Sequence, residues 1–242
     1  MSARGGVTAD RIFDALEVTW PPAECVERDG WRLRRGLGGG KRVSAASSLR
    51  PDSEIDVAVG AMAEWGQDPL FQIRAENEDL DDRLAARRFQ IIDRTVLRAG
   101  KAESLLDDKP ETARILRGDG RVALMEEIWA EGGVGPGRLC VMDRATGPKS
   151  YLMARLGDRA AGVAFVAADG DLAMIHAIET VHALRRKGAA RMILAAAARF
   201  AVEHGATELA MAVTEANEPA NALYRSLGFD IVAGYHYRSA PF

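Results

Sequence analysis

The sequence predicts an α/β protein of two related units, a short degenerate one followed by a complete sheet flanked by helices. Three observations predict it. Helical and strand periodicities alternate along the chain, the order of elements around residue 77 returns around residue 217, and a basic, glycine-containing turn at 185–190 joins a strand to a helix. The two units divide at residues 1–100 and 101–242.

Composition sets the outer limits. At 242 residues and 48% hydrophobic content the chain can bury a proper core. A formal net charge of -3 argues against a nucleic-acid partner, which favours a basic face. Cys25 and Cys140 stand far apart and in no metal-ligand spacing, so neither a disulfide framework nor a zinc site is expected. No apolar run approaches the roughly 18 residues of a membrane span, and residues 1–6 lack a signal-peptide core. The expected setting is cytoplasmic, with no metal, membrane or nucleic acid.

The elements follow in order. Residues 10–20 place Ile12, Phe13 and Leu16 at helical spacing, and Pro21-Pro22 stops them. Residues 31–35 alternate apolar and charged side chains, Gly38 to Gly40 supply a permissive turn, and residues 42–47 return, which reads as a hairpin. A helix over 55–65, a strand over 69–74, a helix over 82–88 and a β-rich stretch over 89–98 complete the first unit. Residues 100–110 are polar and form the boundary. Pro110 suits the first turn of a helix reaching Leu116, and residues 121–130 form another that Gly132-Gly133 and Gly135-Pro136-Gly137 break. Strands over 150–155, 161–167 and 172–180 follow. An alanine-rich helix runs over 187–204 and ends on His204-Gly205, followed by a strand over 209–214, a helix over 219–227 and a strand over 229–238.

Adding 140 to a first-unit number finds its echo: Asn77-Glu78 with Asn217-Glu218, Phe89 with Phe229, Ile91 with Ile231, Arg98 with Arg238. The first copy lacks the chemistry, since Leu84 stands where Tyr224 does and Arg88 where Gly228 does.

A strand that turns directly into a helix leaves backbone N–H groups without intrahelical partners, and small residues let a phosphate approach them. The turn Arg185-Arg186-Lys187-Gly188-Ala189-Ala190 has that form and adds positive charge. A basic helix start needing no ligand fits the hexapeptide equally well. The downstream Asn217 and Ala220-Asn221-Ala222-Leu223-Tyr224 with Gly228-Phe229 favour a ligand site.

Together these motifs resemble the GNAT superfamily of acyl-CoA N-acyltransferases. Arg185, Gly188 and Ala190 match its first pattern; Asn217, Ala222, Leu223, Tyr224, Gly228 and Phe229 match its second. Ala190 replaces a commoner glycine and His182 a frequent proline, and neither change removes a needed amide. The likeness covers residues 121–242, and the ending Tyr235-His236-Tyr237-Arg238 is similar to members with a degenerate first half. It implies a GNAT-like mixed, mostly antiparallel sheet whose strand 172–180 splays from strand 209–214. It also implies acetyl-CoA as co-substrate and acetyl transfer to a primary amine of a small molecule or peptide. Pantetheine would pair with main chain at Ile178 and Thr180, and the phosphates would rest on Arg185 through Ala190. Tyr224 matches the general acid that protonates the departing thiolate. Asn217 would bind the cofactor arm, or cap the helix behind it, or both.

A base must receive the amine's proton. His176, with a reference pKa of about 6.5, is one candidate, Glu179 raised by burial is another, and ordered water a third. Alternation puts His176 and Glu179 on opposite faces unless a bulge intervenes. His176 could also be a satisfied interior histidine. The acidic run Glu76 to Asp82 reads as solvated surface or as an attractor for a cationic amine. Acceptor contacts are expected near 132–136, near 168–172 and in the first unit. A non-catalytic acyl-CoA-binding or regulatory module is the rival function. A Rossmann-type enzyme fails for want of Gly-x-Gly-x-x-Gly after the first strand.

Overall fold

Strands from both units form one eight-stranded sheet in the computed structural model, which describes residues 6–106 and 115–240. In chain order the elements are α1 (Ala9–Thr19), β1 (Glu24–Arg28), β2 (Trp31–Arg35), β3 (Ser47–Ser48), α2 (Ile55–Glu64), β4 (Leu70–Arg74), α3 (Glu78–Ala86) and β5 (Gln90–Lys101). There follow β6 (Ile115–Gly118), α4 (Ala123–Glu131), α5 (Pro136–Arg144), β7 (Lys149–Leu156), β8 (Arg159–Asp169), β9 (Leu172–Thr180), α6 (Ala189–Glu203), β10 (Glu208–Thr214), α7 (Glu218–Ser226) and β11 (Asp230–Ser239). The large sheet runs β4-β11-β5-β10-β9-β8-β7-β6, antiparallel except between β9 and β10, and β1-β2-β3 form a small separate sheet. This is the mixed, mostly antiparallel sheet flanked by helices that the resemblance implies.

The halves are interleaved. β5 of the first unit lies between β10 and β11 of the second, and β11 in turn lies between β5 and β4. The register is reciprocal, with Arg98 opposite Ile231 and Arg238 opposite Ile91. Each arginine then reaches the other unit. Arg98, 5% exposed, donates through Nε to Asn221 Oδ1 at 3.1 Å and through Nη1 to the Phe229 carbonyl at 2.9 Å. Arg238, 9% exposed, donates through Nε to Asp81 Oδ1 at 2.7 Å and through Nη1 to the Phe89 carbonyl at 2.9 Å. Every partner is related to its counterpart by the same 140-residue shift.

The turns closing α3 and α7 repeat as well. Phe89 N–H bonds to the Leu84 carbonyl at 3.0 Å and Phe229 N–H to the Tyr224 carbonyl at 3.0 Å. Both turns need a left-handed residue, supplied by Gly228 at φ 80° and by Arg88 at φ 66°. An L-residue there costs about 1–2 kcal/mol, so the first copy keeps the turn at the expense of strain.

Helix α1 starts on Thr8, whose Oγ1 accepts from Arg11 N–H at 3.2 Å, and buries Ile12, Phe13, Ala15, Leu16 and Thr19. It packs across β8 and β9 of the second unit. Arg11 anchors it there through Asp169 Oδ2 at 2.7 Å and Asp171 Oδ1 at 2.9 Å, both at the β8–β9 turn. Small alanines let α6 lie close on β7, β8 and β9, where Ile193, Leu194 and Phe200 fill the core. Arg121 binds Glu126 of α4 and Asp143 of α5, tying those two helices together.

Several expectations change. The hairpin partner of β2 is β1, joined through Asp29-Gly30 at φ 50° and 84°, a two-residue turn whose Asp-Gly signal marks the hairpin. The glycine-rich segment instead leads into a tight helical turn at Lys41–Val43, and the returning strand shrinks to β3. The helix placed from Pro110 falls mostly outside the described residues; Ile115 and Leu116, its last two, are extended in β6. Gly135-Pro136-Gly137 opens α5 rather than only breaking α4, because Pro136 occupies a first-turn position that needs no N–H. The acidic run is partly structural, since Asp81 receives Arg238.

Asp81 carries the most charge-dependent contact of the interleaved core. Arg238, and secondarily His236 through a 2.8 Å bond to Oδ1, hold its carboxyl below the usual carboxylate range against a desolvation cost. Because the folded pKa lies below the unfolded one, this stability is present above the unfolded pKa and lost as pH falls through the folded value. Asp81→Asn is therefore expected to cost about 1.5–3 kcal/mol at neutral pH. In urea titrations at a series of pH values, the gap to wild type should close below the ordinary aspartate range.

Candidate functional site

The β8–β9 ladder contains an irregularity that shapes everything near it. Phe165 faces His176 and Val163 faces Glu179, so Ala177 and Ile178 together oppose Ala164. Ala177 takes the left-handed conformation at φ 48°, and Trp129 Nε1–H donates to its carbonyl at 2.8 Å. This bulge removes the alternation that separated His176 from Glu179. Residues opposite each other share a face, so both join the face of Val163 and Phe165.

On its other edge β9 parts from β10. Their parallel rungs run from Leu172 with Glu208 to Ile175 with Met211 and stop, although β9 continues to Thr180 and β10 to Thr214. β5 pairs with β10 along its whole length, from Lys101 with Glu208 to Thr95 with Thr214, and so holds β10 in line. The far half of β9, including Ile178 and Thr180, is left facing a gap.

Past Thr180 the chain makes a tight turn at His182–Leu184 pinned by buried Leu184, and α6 begins. Arg186 at φ 62° and Gly188 at φ 88° bend the main chain, and no side chain caps the helix. The first intrahelical donor is Met192 N–H, to the Gly188 carbonyl at 3.0 Å. The amides of Gly188, Ala189 and Ala190 precede it and gather at the helix start, where a phosphate fits. Among the described residues Arg185, Arg186 and Lys187 are exposed and make no ion pair. The turn thus offers uncapped amides and positive charge directly after the unpaired edge of β9.

Tyr224 of α7 is 7% exposed, packs edge-on to Phe229, and makes no hydrogen bond through its hydroxyl among the described residues. Burial first, then the nearby Glu179 charge, push its pKa up to about 12, so it stays protonated near neutrality. Glu179 is half-buried under the end of α4, where a side chain in place of Gly132 would strike its carboxyl. Desolvation raises its pKa while Arg185 and Arg138 pull it down. His176 is 4% exposed, and both of its ring nitrogens are engaged. Nε2 lies 2.9 Å from Thr19 Oγ1, whose own proton goes to the Ala15 carbonyl at 2.6 Å, and Nδ1 lies 3.4 Å from Arg42 Nη1. Burial, and then the Arg42 charge, hold its pKa well below the usual histidine range. Asn217 caps α7, accepting from Ala220 N–H at 3.2 Å.

A cavity of about 200 Å³ opens at the gap, lined by Ala177 of β9 and Thr214 of β10 together with Trp20, Lys41, Arg42, Asp93, Arg138, Tyr235 and Tyr237. A larger hollow of about 510 Å³ lies over β4, α3 and β11, beside Arg74, Asp81 and His236. The smaller one contains residues beyond the last β9–β10 rung, and its position makes it the candidate site. Sequence reasoning missed Thr19, Trp20, Arg42 and Trp129. Only Tyr235 and Tyr237 carried a signal, an alternation that sets both on one face of β11.

Residues 119–229 match the family described as Acetyltransferase (GNAT) family. No curated protein matches the sequence. Among solved structures, a GCN5-related N-acetyltransferase from Kribbella flavida is similar at 18% identity, with 98% of this chain and 96% of that one covered and a TM-score of 0.73. A functionally unknown conserved protein from Staphylococcus epidermidis shares 11% identity over 92% of this chain and 95% of its own, at a TM-score of 0.70. A tandem GNAT protein from the clavulanic acid biosynthesis pathway shares 12% over 99% and 89%, at 0.61. At these identities the likeness is one of fold, and it extends over both units.

Gly188→Val should weaken coenzyme A binding at least about tenfold, since a β-branched residue resists φ 88° and would splay the amides. Calorimetric titration checks this against Gly157→Val, which imposes comparable strain at φ 61° in the β7–β8 turn and should leave affinity unchanged.

Proposed function

We propose that this chain, a member of the GNAT superfamily through its domain at residues 119–229, moves an acetyl group from acetyl-CoA to a primary amine by direct attack. One observation carries the reading. The β9–β10 ladder ends beside an amide-lined helix start, and Tyr224 and Glu179 stand close enough at that opening for one charge to raise the other's pKa. In this reading the units divide at 1–100 and 101–242, the second holding the thioester and the first walling the acceptor cavity.

The co-substrate phosphates rest on the turn from Arg185 to Ala190. The pantetheine arm pairs with main chain at Ile178 and Thr180, with Asn217 beside it on α7, and the thioester reaches the gap. The amine enters from the cavity as its ammonium ion. Glu179, desolvated enough to want a proton, takes one directly or through water. The neutral nitrogen attacks the carbonyl, the C–S bond breaks, and Tyr224 donates its proton to the departing thiolate. The proton shed by the new amide nitrogen restores the phenol. The bonds of His176 to Thr19 and Arg42 favour a positioning role for it and leave the base to Glu179.

Tyr224→Phe should lower kcat by roughly 10²–10⁴ while leaving the KM for acetyl-CoA in place, measured as free-thiol release with a panel of amines. Wild-type turnover in that variant would remove Tyr224 from the mechanism. Coenzyme A binding with no thiol release for any amine would favour a binding or regulatory module instead.

The ionised form of Glu179 is the active one, so kcat/KM should fall as pH drops through a pKa above the usual carboxylate value. Glu179→Gln should abolish that limb and His176→Gln should retain it. The reverse pattern would transfer the role to His176.

A further inference from the structure

Among the described residues Arg42 carries a charge that no carboxylate answers. Its Nε is shut off from solvent and has no hydrogen-bond partner. No carboxylate among the described residues pairs with it. Its polar neighbours are uncharged: the ring nitrogen of His176 lies 3.4 Å from Nη1 and the hydroxyls of Tyr235 and Tyr237 stand beside the guanidinium, whose carbon lies 5.8 Å from the centre of the Trp20 ring. The one carboxylate of the cavity wall, Asp93, is already held by Lys41 at 2.6 Å. A half-buried charge without a counter-charge is costly, and neutral or aromatic neighbours offset only part of that cost.

The cavity supplies what is missing. Arg42 lines it, and so does Ala177, the bulge residue at the opening where the thioester is placed. Arg138 lines the same space, so three cations face one carboxylate that Lys41 already occupies. Its volume of about 200 Å³ is below the roughly 300–1,000 Å³ of ligand pockets in general. A small acceptor fits and a polyamine does not, because the wall repels a second positive charge. A guanidinium with free donors recognises a carboxylate through paired parallel hydrogen bonds.

Building on the acetyl-transfer reading, we propose that the acceptor amine bears a carboxylate, a small amino acid, and that Arg42 is its anchor. Arg42 holds the carboxylate at the inner end of the cavity and turns the amine toward the gap beside Ala177. Thr19, by fixing His176, keeps Arg42 aimed into that space.

The test compares L-amino acids with their α-amides as acceptors, following thiol release from acetyl-CoA. The amino acids should show kcat/KM at least about tenfold higher. Arg42→Gln should raise the KM of the amino acids relative to that of the amides by a similar factor, closing the preference, and Arg42→Lys should restore part of it. Equal or reversed preference in the wild type overturns the carboxylate assignment and leaves acetyl transfer standing. Thiol release with no amine at all overturns acetyl transfer instead. Binding of N-acetylamino acids against N-acetylamino amides to the wild-type protein, by calorimetry, reads the anchor without turnover or a variant. Equal affinities there overturn it, and tighter binding of the acids supports it.

Discussion

Two arginines hold the halves of this protein as one sheet. Arg98 and Arg238 each leave the exchanged pair of strands, β5 and β11, and bond the turn and helix of the opposite unit. A buried guanidinium must find acceptors or destabilise the fold, and here the acceptors exist only when β5 lies between β10 and β11. The interleaving and the arginine contacts therefore require each other. The pairs differ in one respect: Arg238 meets the carboxylate of Asp81, whereas Arg98 meets the neutral amide of Asn221.

From that exchange the site follows. β5 pairs β10 to its end, so β10 runs straight while the bulge at Ala177 carries β9 away. The gap between them is a consequence of two unlike edges, one tied throughout and the other released after Ile175. The first unit then contributes by contact rather than by chemistry of its own. α1 lies over β8 and β9 and delivers Thr19 and Trp20 to His176, and the Lys41–Val43 turn delivers Arg42 to the cavity. A repeat without a glycine-containing turn of its own thus lines the cavity at the gap.

Most elements were legible in the sequence because each rests on a local cause. Apolar spacing marked α1, α2 and α4, alanine content marked α6, apolar runs marked β7 to β9 of the second unit, and the shift of 140 paired α3 with α7 to the residue. The misses also have local causes. The Asp29-Gly30 turn was passed over for the richer glycine run, and Pro136 between two glycines looked like an interruption although it starts a helix. The helix starts after Arg185-Arg186-Lys187-Gly188 and at Asn217 were legible because backbone geometry there depends on nearby residues.

By itself, the sequence determined which segments are helix or strand, the repeat, the basic glycine-containing turn and the tyrosine beyond it. Those features depend on residues a few positions apart. Only the tertiary structure decided that the repeats exchange strands, that a bulge brings His176 and Glu179 to one face, and that Thr19 and Arg42 occupy His176 on both sides. It also set Arg42 in the cavity without a carboxylate. Such facts depend on contacts across more than a hundred residues of chain, where no periodicity carries a signal and packing alone selects the partner.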